Sequence, residues 1–383
     1  MRLAFIKKRF SIHGGAERYL QTLIQHLKNA GHEIHVFANQ WVDEEGITFH
    51  KVNIIPFTSF LSTLTFDINA RSRVNPVRSK APNGVKGQGS MVYDCIISFE
   101  RTTCQDIYRA GEGCHAEWLQ IRSKTGPFYK KLSFKINPLH IAILNLEKKL
   151  FKNTKLIIAN SKMVREQIIR HYAVPEDKIM IIYNGVDLAR FSPGNKEKWR
   201  DDTRNNLDMP KGSKALLFVG SGFERKGLET LIHAMPLIKR DIKTLIVGKG
   251  DTNKYRALAE KLRVSDKIIF LGTQKDIEKF YAASDLFVLP TLYDPFSNAT
   301  LEAMASGIPV ITTKNNGVAE LIENGHEGFV VDGLSDAKEL ADKINLSLAN
   351  LKLMGEMARK KAEAFPIEMA AREFMGAIQL VAK

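Results

Sequence analysis

Short apolar runs alternate with segments of helical periodicity along this chain, and the alternation occurs twice. In the first half, Leu3–Ile6 leads into the Gly14-Gly15 turn, and a segment with leucines and isoleucine on one helical face follows. Parallel βαβ units require this order of elements. The first half therefore predicts strands over Leu3–Ile6, Ile34–Ala38, Ile96–Phe99 and Leu156–Ala159.

The second half repeats the alternation more regularly. It predicts strands over Leu216–Val219, Leu245–Val247, Ile268–Leu271, Leu286–Leu289, Val310–Thr312 and Phe329–Val331. Two such series predict an α/β protein of two doubly wound, Rossmann-like domains, with a boundary near residues 182–185. Ligands bind such sheets at the carboxyl ends of the strands.

The net charge of +14 is distributed unevenly along the 383 residues. Residues 1–190 hold 28 Lys and Arg against 16 Asp and Glu, whereas residues 191–383 hold 28 against 26. A basic first half indicates an acidic partner such as anionic lipid, a phosphorylated glycan or nucleic acid, although solubility alone is an equal explanation. No RNA- or DNA-binding motif supports nucleic acid. Three cysteines in no zinc-binding pattern predict reduced thiols in a cytoplasmic protein.

Two basic segments stand outside the alternation. Arg71–Ser90 has five basic residues, no acidic residue, two prolines and three glycines, and is predicted to be a flexible insertion. The stretch from Arg122 to Lys135 interleaves Phe128, Tyr129 and Phe134 with Lys124, Lys130, Lys131 and Lys135. This stretch is consistent with a membrane interface or with a solvated helix face.

The segment GSGFERKGLETLI begins at Gly220, directly after a predicted strand. Gly220 and Gly222 let backbone amides approach a bound group, and the helix that follows presents its positive N-terminal end. Arg225 and Lys226 add two cations beside that end. Many glycine-rich turns bind nothing, but the adjacent cations favour a site for a diphosphate.

A second segment, TLYDPFSNATLEAMASGIPVITT at 291–313, carries Asp294 and Glu302 on either side of a polar turn. We expect Asn298 to cap a helix that begins near Ala299. Two carboxylates near a helix N-terminus suit hydrogen bonds to sugar and ribose hydroxyls, and the amides of the turn suit phosphate. Spacing alone favours a simpler interpretation, with Asp294 a turn residue and Glu302 a solvated helix residue.

The chain resembles the retaining glycosyltransferases of family 4, which have the GT-B fold. The matching segments occur in the order that the family shows. They are GGAERYL at 14–20, GEGCHAEWL at 111–119, ANSKMVREQI at 159–168, YNGVD at 183–187, GSGFERKGLETLI at 220–232 and DPFSNATLEAMASGIPVITT at 294–313. Within the family, the GCHAEWL segment and the DPFSNATLEA loop look closest to the lipopolysaccharide-core glucosyltransferases.

The resemblance implies catalytic roles for four residues. Arg225 and Lys226 bind the donor diphosphate, and His115 approaches the donor sugar. Asp294 stands near the hydroxyls of that sugar, where the family usually has Glu, so its side chain is one methylene shorter. This difference bears on the identity of the sugar more than on the type of reaction.

The resemblance also implies a donor-binding set. Glu302 holds the ribose, and backbone amides in two glycine turns and in the loop before Glu302 line the sugar and phosphates. The set comprises Gly14, Gly15, Gly220, Gly222, Ser297, Asn298, Ala299 and Thr300, together with Arg225 and Lys226.

The implied architecture is GT-B, with two Rossmann-like doubly wound domains facing across a cleft. Residues 1–181 are the acceptor-binding domain, residues 182–365 the nucleotide-sugar-binding domain, and 366–383 a helix that packs back on the first domain. The implied enzyme transfers a hexose, glucose from UDP-glucose, to a lipopolysaccharide-core or other cell-envelope glycan with retention of configuration. This enzyme is expected to need no cofactor and to be located in the cytoplasm. The inner face of the cytoplasmic membrane is a candidate partner surface.

No Asp-x-Asp sequence occurs in the chain, so cations rather than a metal ion are expected to face the diphosphate. No side chain stands out as a nucleophile, and the resemblance implies a front-face reaction. Two alternatives remain: another GT-B enzyme such as a sugar-nucleotide epimerase or a phosphorylase, and a basic nucleic-acid-binding protein without enzymatic activity.

Overall fold

The computed structural model describes residues 1–9, 15–41, 45–74, 93–125, 134, 136–332 and 336–382. Several predicted features lie outside these ranges, namely Gly14, residues 75–90 of the predicted insertion, and Phe128, Tyr129, Lys130, Lys131 and Lys135. The chain divides into two compact units. Unit 1 comprises Met1–Tyr183 with Glu368–Lys383, and unit 2 comprises Asn184–Ile367.

Unit 1 contains a parallel sheet whose seven strands, counted over the described residues, have the order β3-β2-β1-β4-β5-β6-β7. The strands are β1 Arg2–Ile6, β2 Glu33–Ala38, β3 Ile47–Lys51, β4 Cys95–Ser98, β5 Ile107–Arg109, β6 Leu156–Ala159 and β7 Ile179–Ile181. The helices between them are α1 Gly15–Asn29, α2 Ser59–Val74, α3 His115–Thr125, α4 Pro138–Asn153 and α5 Lys162–Tyr172.

Unit 2 contains a second parallel sheet, of six strands within the described part of the chain, in the order β10-β9-β8-β11-β12-β13. Its strands are β8 Lys214–Val219, β9 Ile242–Val247, β10 Ile268–Gly272, β11 Leu286–Leu289, β12 Val310–Thr313 and β13 Gly328–Val331. Its helices are α6 Asn195–Asn206, α7 Leu228–Ala234, α8 Thr252–Lys261, α9 Ile277–Ala283, α10 Asn298–Ala305, α11 Ala337–Ser347 and α12 Leu351–Ala362; helix α13, Ile367–Val381, follows.

The central strands are apolar because helices cover a parallel sheet on both faces. In β11 and β6 every residue is buried, and the observed bounds equal the predicted ones. Phe374 of α13 is fully buried, and its ring lies 5.9 Å from the ring of Phe99, so the last helix belongs to the core of unit 1. The two sheets confirm the predicted pair of doubly wound α/β domains.

The prediction of a flexible insertion beginning at Arg71 was wrong for its first four residues. Arg71–Val74 form the last turn of α2, in which Arg71 and Arg73 are exposed. Ala70 and Val74 lie one helical turn apart and are buried in the same cluster as Phe66. In this described part of the segment, the two basic side chains therefore lie on the exposed face of a helical turn whose other face is buried.

In both sheets the strand order reverses beside the first strand of the unit. In unit 2 the reversal lies between β8 and β11, which pair through Leu286 with Leu216 and Phe287 with Leu217. Doubly wound sheets bind ligands outside the carboxyl ends of the strands at this point. Among the described helices, none combines the length and the apolarity needed to cross a membrane.

Candidate active site

Two loops lie at the reversal point of unit 2, one after β8 and one after β11. They are joined by hydrogen bonds, since the carbonyl oxygen of Arg225 accepts from the amide of Leu292 at 2.8 Å and from the Thr291 hydroxyl at 2.9 Å. The Arg225 guanidinium donates in turn to the carbonyl oxygen of Tyr293 at 3.1 Å. The predicted diphosphate loop and the predicted carboxylate loop thus form one structure.

The centre of this structure is an ion pair between Lys226 and Asp294. The two side chains are 11% and 8% exposed, so the pair is largely removed from water. Burial lowers the pKa of Lys226, and the neighbouring Arg225 lowers it further, whereas the Asp294 carboxylate opposes both effects. A Cβ atom on Gly220 would lie 2.9 Å from Cγ of Lys226, so the glycine leaves room for the lysine stem.

Asn316 holds the loop that contains Asp294. Its side chain is buried, its Oδ1 accepts from the amides of Ser297 and Val318, and its Nδ2 donates to Thr300 and Thr312. These bonds occupy the donors and acceptors of one amide. Sequence reasoning missed Asn316, although a polar residue just after a buried parallel strand is a detectable signal.

Helix α10 begins in a different way from the one predicted. Ser297 is the N-cap, because its hydroxyl accepts a hydrogen bond from the amide of Thr300 and its backbone is extended. The prediction of Asn298 as the cap was therefore wrong. Asn298 is the first helical residue, and its Oδ1 accepts a 2.6 Å hydrogen bond from Asn184, which belongs to the YNGVD segment.

Glu302 lies in the second turn of α10, and a tyrosine from the preceding helix, α9, restrains it. The fully buried Tyr281 donates its hydroxyl to Oε2 of Glu302 at 2.9 Å and approaches the carbonyl oxygen of Ala299 at 3.0 Å. Glu302 is therefore a half-buried, oriented carboxylate rather than a solvated helix residue. The sequence carried no sign that Tyr281 would reach it.

His115 is the first residue of α3 in unit 1. Its backbone amide donates to Oε1 of Glu147 at 2.9 Å, and its ring Nε2 lies 3.1 Å from Nδ1 of His140. Burial, with contributions from Arg101 and His140, lowers the pKa of His115 to about 3, so its ring is neutral at pH 7. The side chain of Glu147 is fully buried and also accepts hydrogen bonds from Arg101 and Tyr172.

The predicted site residues thus form two groups. Arg225, Lys226 and Asp294 come together with Gly220 in unit 2, where Ser297, Asn298, Ala299, Thr300 and Glu302 belong to the adjoining loop and helix, and Gly222 lies in the turn before Arg225. His115 belongs to unit 1, as does Gly15, which begins α1. Within the described ranges, no three His, Cys, Asp or Glu side chains cluster as a metal site requires.

Comparison with known families places this geometry in context. Residues 200–364 match the family model described as glycosyl transferases group 1. Residues 105–190 match the model described as glycosyltransferase family 4. The first match contains Arg225, Lys226, Asp294 and Glu302, and the second contains His115.

Individual relatives extend the similarity over most of the chain. The lipopolysaccharide glucosyltransferase WaaG of Escherichia coli strain K12 is 25% identical over 338 residues, which are 86% of this chain and 85% of WaaG. An uncharacterized glycosyltransferase of Methanocaldococcus jannaschii, MJ1607, is 34% identical over 180 residues, 46% of either chain, so that the chain spans about half the length of this relative.

Solved structures agree in fold. The crystal structure of WaaG, a glycosyltransferase involved in lipopolysaccharide biosynthesis, has a TM-score of 0.81 and 21% identity over 99% of both chains. HepE of Anabaena, in complex with UDP-glucose, has a TM-score of 0.73 and 19% identity over 99% of both chains. At these identities the likeness establishes the architecture of the two units.

Proposed function

Since this chain belongs to the glycosyltransferases of the GT-B fold, we propose that it transfers glucose from UDP-glucose to a lipopolysaccharide-core or other cell-envelope glycan, retaining the anomeric configuration. The observation that carries the proposal is the buried Lys226–Asp294 pair beside Arg225 at the carboxyl ends of β8 and β11. The relationship to WaaG supports the acceptor class. The UDP-glucose complex of HepE supports the donor.

In this mechanism Arg225 and Lys226 bind the donor diphosphate. The diphosphate gains negative charge as it leaves, so cations held in place beforehand stabilise the transition state more than the ground state. A lysine ammonium has three donors. Lys226 can therefore retain its bond to Asp294 while it donates to a phosphate oxygen. The ion pair orients the ammonium group within the loop that follows β8.

The reaction proposed is a front-face displacement. The bond between the anomeric carbon and the leaving phosphate oxygen breaks, and the acceptor hydroxyl bonds to the same face of the sugar ring. The acceptor proton passes to the leaving phosphate oxygen, which requires no basic side chain. Asp294 is proposed to accept hydrogen bonds from hydroxyls of the donor sugar, and His115 to contact that sugar.

A direct test combines donor screening with a transfer assay. UDP-glucose should raise the melting temperature of the chain more than UDP-galactose, GDP-mannose or ADP-glucose, because the donor that binds best stabilises the folded state most. Purified lipopolysaccharide core that lacks its first glucose is then the acceptor, and proton NMR of the product gives the anomeric configuration. Inverted product, or no stabilisation by any of the four donors, would refute the proposal.

The same assay tests metal independence. Transfer should continue unchanged in excess EDTA, because Arg225 and Lys226 supply the positive charge that faces the diphosphate. The control is the EDTA-treated enzyme with added magnesium or manganese, which should be no faster. Loss of transfer in EDTA with recovery on adding either metal contradicts this part of the mechanism.

Glu302→Ala should weaken UDP binding about tenfold to hundredfold, because a hydrogen bond to a charged group contributes about 1.5–3 kcal/mol. Isothermal titration calorimetry with UDP measures the effect. Glu278→Ala is the matched control, since Glu278 is another half-buried carboxylate of unit 2, paired with Arg190. Equal UDP affinity in Glu302→Ala and wild type would exclude a ribose-binding role.

We also propose that the basic first half attaches the enzyme to the inner face of the membrane. Lys124, at the end of α3, is exposed, and Arg122 lies over the rings of Trp118 and Phe134 at 5.6 and 4.9 Å. Lys130, Lys131 and Lys135 follow in sequence, and each basic residue near an anionic surface contributes about 1 kcal/mol. Phe128 and Phe134 would add shallow interfacial contact.

Vesicle co-sedimentation tests this attachment. The chain should sediment with anionic vesicles at low salt, less at moderate salt, and not with neutral vesicles, because exposed charges are screened. A variant with glutamine in place of Lys124, Lys130, Lys131 and Lys135 should lose vesicle binding. The control variant replaces four exposed lysines of unit 2 with glutamine and should bind like wild type; these are Lys211, Lys239, Lys338 and Lys352. Equal binding to both kinds of vesicle would leave the basic surplus as a solubility feature.

A further inference from the structure

Helix α4 contacts His115 at two points. Oε1 and Oε2 of Glu147 accept from the backbone amide of His115 at 2.9 and 3.2 Å. Nδ1 of His140 lies 3.1 Å from Nε2 of the His115 ring. His140 and Glu147 are seven residues apart, two turns of one helix, so both side chains lie on the same face of α4. One rigid element therefore holds both the backbone and the ring of His115.

The start of α4 is fixed in turn, which fixes His140. Asn137 caps the helix by accepting from the amide of Leu139, and Pro138 occupies the first turn. The ring of Phe134 meets the His140 ring edge to face at 5.7 Å. At the other contact point, Glu147 is anchored by Arg101 and Tyr172. The geometry at His115 is consequently supported by neighbours from several elements.

The histidine contact has a chemical consequence. Burial lowers the pKa of both rings, so each is neutral at pH 7 and carries a single N–H. Of the two facing nitrogens, one must donate and the other accept. If His115 donates from Nε2, its Nδ1 is an acceptor; if His140 donates from Nδ1, then Nδ1 of His115 carries the proton.

We propose that His140 is a positioning residue that holds the His115 ring in one rotamer and one tautomer, and so decides whether Nδ1 of His115 donates or accepts a hydrogen bond. The inference rests on the proposed function, in which His115 contacts the donor sugar. A sugar hydroxyl bound through that nitrogen would be oriented by the tautomer that His140 imposes.

The test compares His140→Ala, His140→Asn and His50→Ala in the full chain. Asparagine places an amide atom near the position of Nδ1, so it can keep the hydrogen bond that alanine removes. His50 is the matched control, because its Nε2 lies 2.9 Å from Nδ1 of His35 in the same unit and burial also lowers its pKa. His50→Ala therefore removes a histidine–histidine contact away from His115.

Two readouts separate positioning from general stability. Nitrogen-15 NMR of labelled histidines reports the tautomer of His115, assigned by the signals that His115→Gln loses. In wild type we expect one tautomer, and in His140→Ala a mixture. Transfer from UDP-glucose should fall about tenfold in kcat for His140→Ala, which corresponds to one hydrogen bond, with UDP affinity unchanged. His140→Asn should recover most of this loss, and His50→Ala should match wild type.

An unchanged tautomer and kcat in His140→Ala would overturn the proposal, as would an equal fall of kcat in His50→Ala. If wild type transfers no sugar, the proposed function fails instead. The NMR comparison needs no donor, so it still decides whether His140 sets the His115 ring.

Discussion

Lys226→Ala should lower kcat/KM by at least about a hundredfold and also destabilise the chain. The first effect follows from losing a cation at the leaving diphosphate. The second follows because Asp294, 8% exposed, would keep a buried charge without its partner. Breaking a buried pair in this way costs about 3–5 kcal/mol. Transfer kinetics and thermal melting measure the two effects.

A double variant separates these effects. Lys226→Met with Asp294→Asn removes both charges and should recover most of the stability, since a buried pair can often be replaced by neutral side chains, while activity stays low. The control is Lys254→Met, which removes an ion pair with Glu229 whose partners are both 52% exposed. It should cost at most about 1 kcal/mol and leave turnover unchanged. Wild-type turnover in the double variant would rule out the diphosphate role.

Arg225→Ala offers an independent view of the same charge effect. The Arg225 side chain is half-buried and donates to a backbone carbonyl, so its removal should leave the fold intact. Turnover should still fall roughly tenfold to a hundredfold, the value of one charge-assisted hydrogen bond. Unchanged kinetics in Arg225→Ala and in the double variant would together remove the diphosphate assignment.

Gly227→Ala should lower the melting temperature by at least about 10 °C or prevent folding of unit 2. Gly227 has φ of +76°, and a Cβ atom there would lie 1.8 Å from the carbonyl oxygen of Pro290. The left-handed backbone alone costs a non-glycine residue about 1–2 kcal/mol, and the clash would push the β8 loop away from the β11 loop. Thermal unfolding by circular dichroism measures the loss.

Gly222→Ala is the matched control for this clash. Gly222 has the same φ of +76°, but nothing lies within 4 Å of its Cβ position. It should show only the backbone cost, a decrease in melting temperature of about 2–5 °C. If the two variants melted at the same temperature, the close packing of Gly227 against Pro290 would be contradicted.

The strands that sequence reasoning found and those that it missed differ in a physical way. The central strands are continuous apolar runs, and Leu156–Ala159 and Leu286–Leu289 were predicted residue for residue. Three of the described strands were not predicted. Ile47–Lys51 has polar residues and lies at an edge of the sheet. The other two strands, Ile107–Arg109 and Ile179–Ile181, are only three residues long. These short or half-polar runs form strands because a neighbouring strand pairs with them.

Local sequence could not predict the exact ends of helices either. The polar turn correctly predicted a helix after residue 296. Ser297 and Asn298 are both favourable capping residues, so the sequence alone did not identify which of them is the N-cap. The choice was made by Asn184, which bonds to Asn298, and by Asn316, which holds the amide of Ser297. In the same way, Arg71–Val74 are helical because Val74 packs in a buried cluster with Phe66 and Ala70.

Periodicity and neighbours along the chain were enough to predict the two α/β sheets, the glycine turn after β8 and the residue types that we propose to bind a diphosphate and a sugar. Tertiary structure alone decided which of those residues meet. Lys226 and Asp294 are 68 residues apart, Tyr281 and Glu302 are 21 apart, and His115 and His140 are 25 apart. Each contact joins side chains on separate elements, and the order of strands in the sheet or the packing of helices brings those elements together.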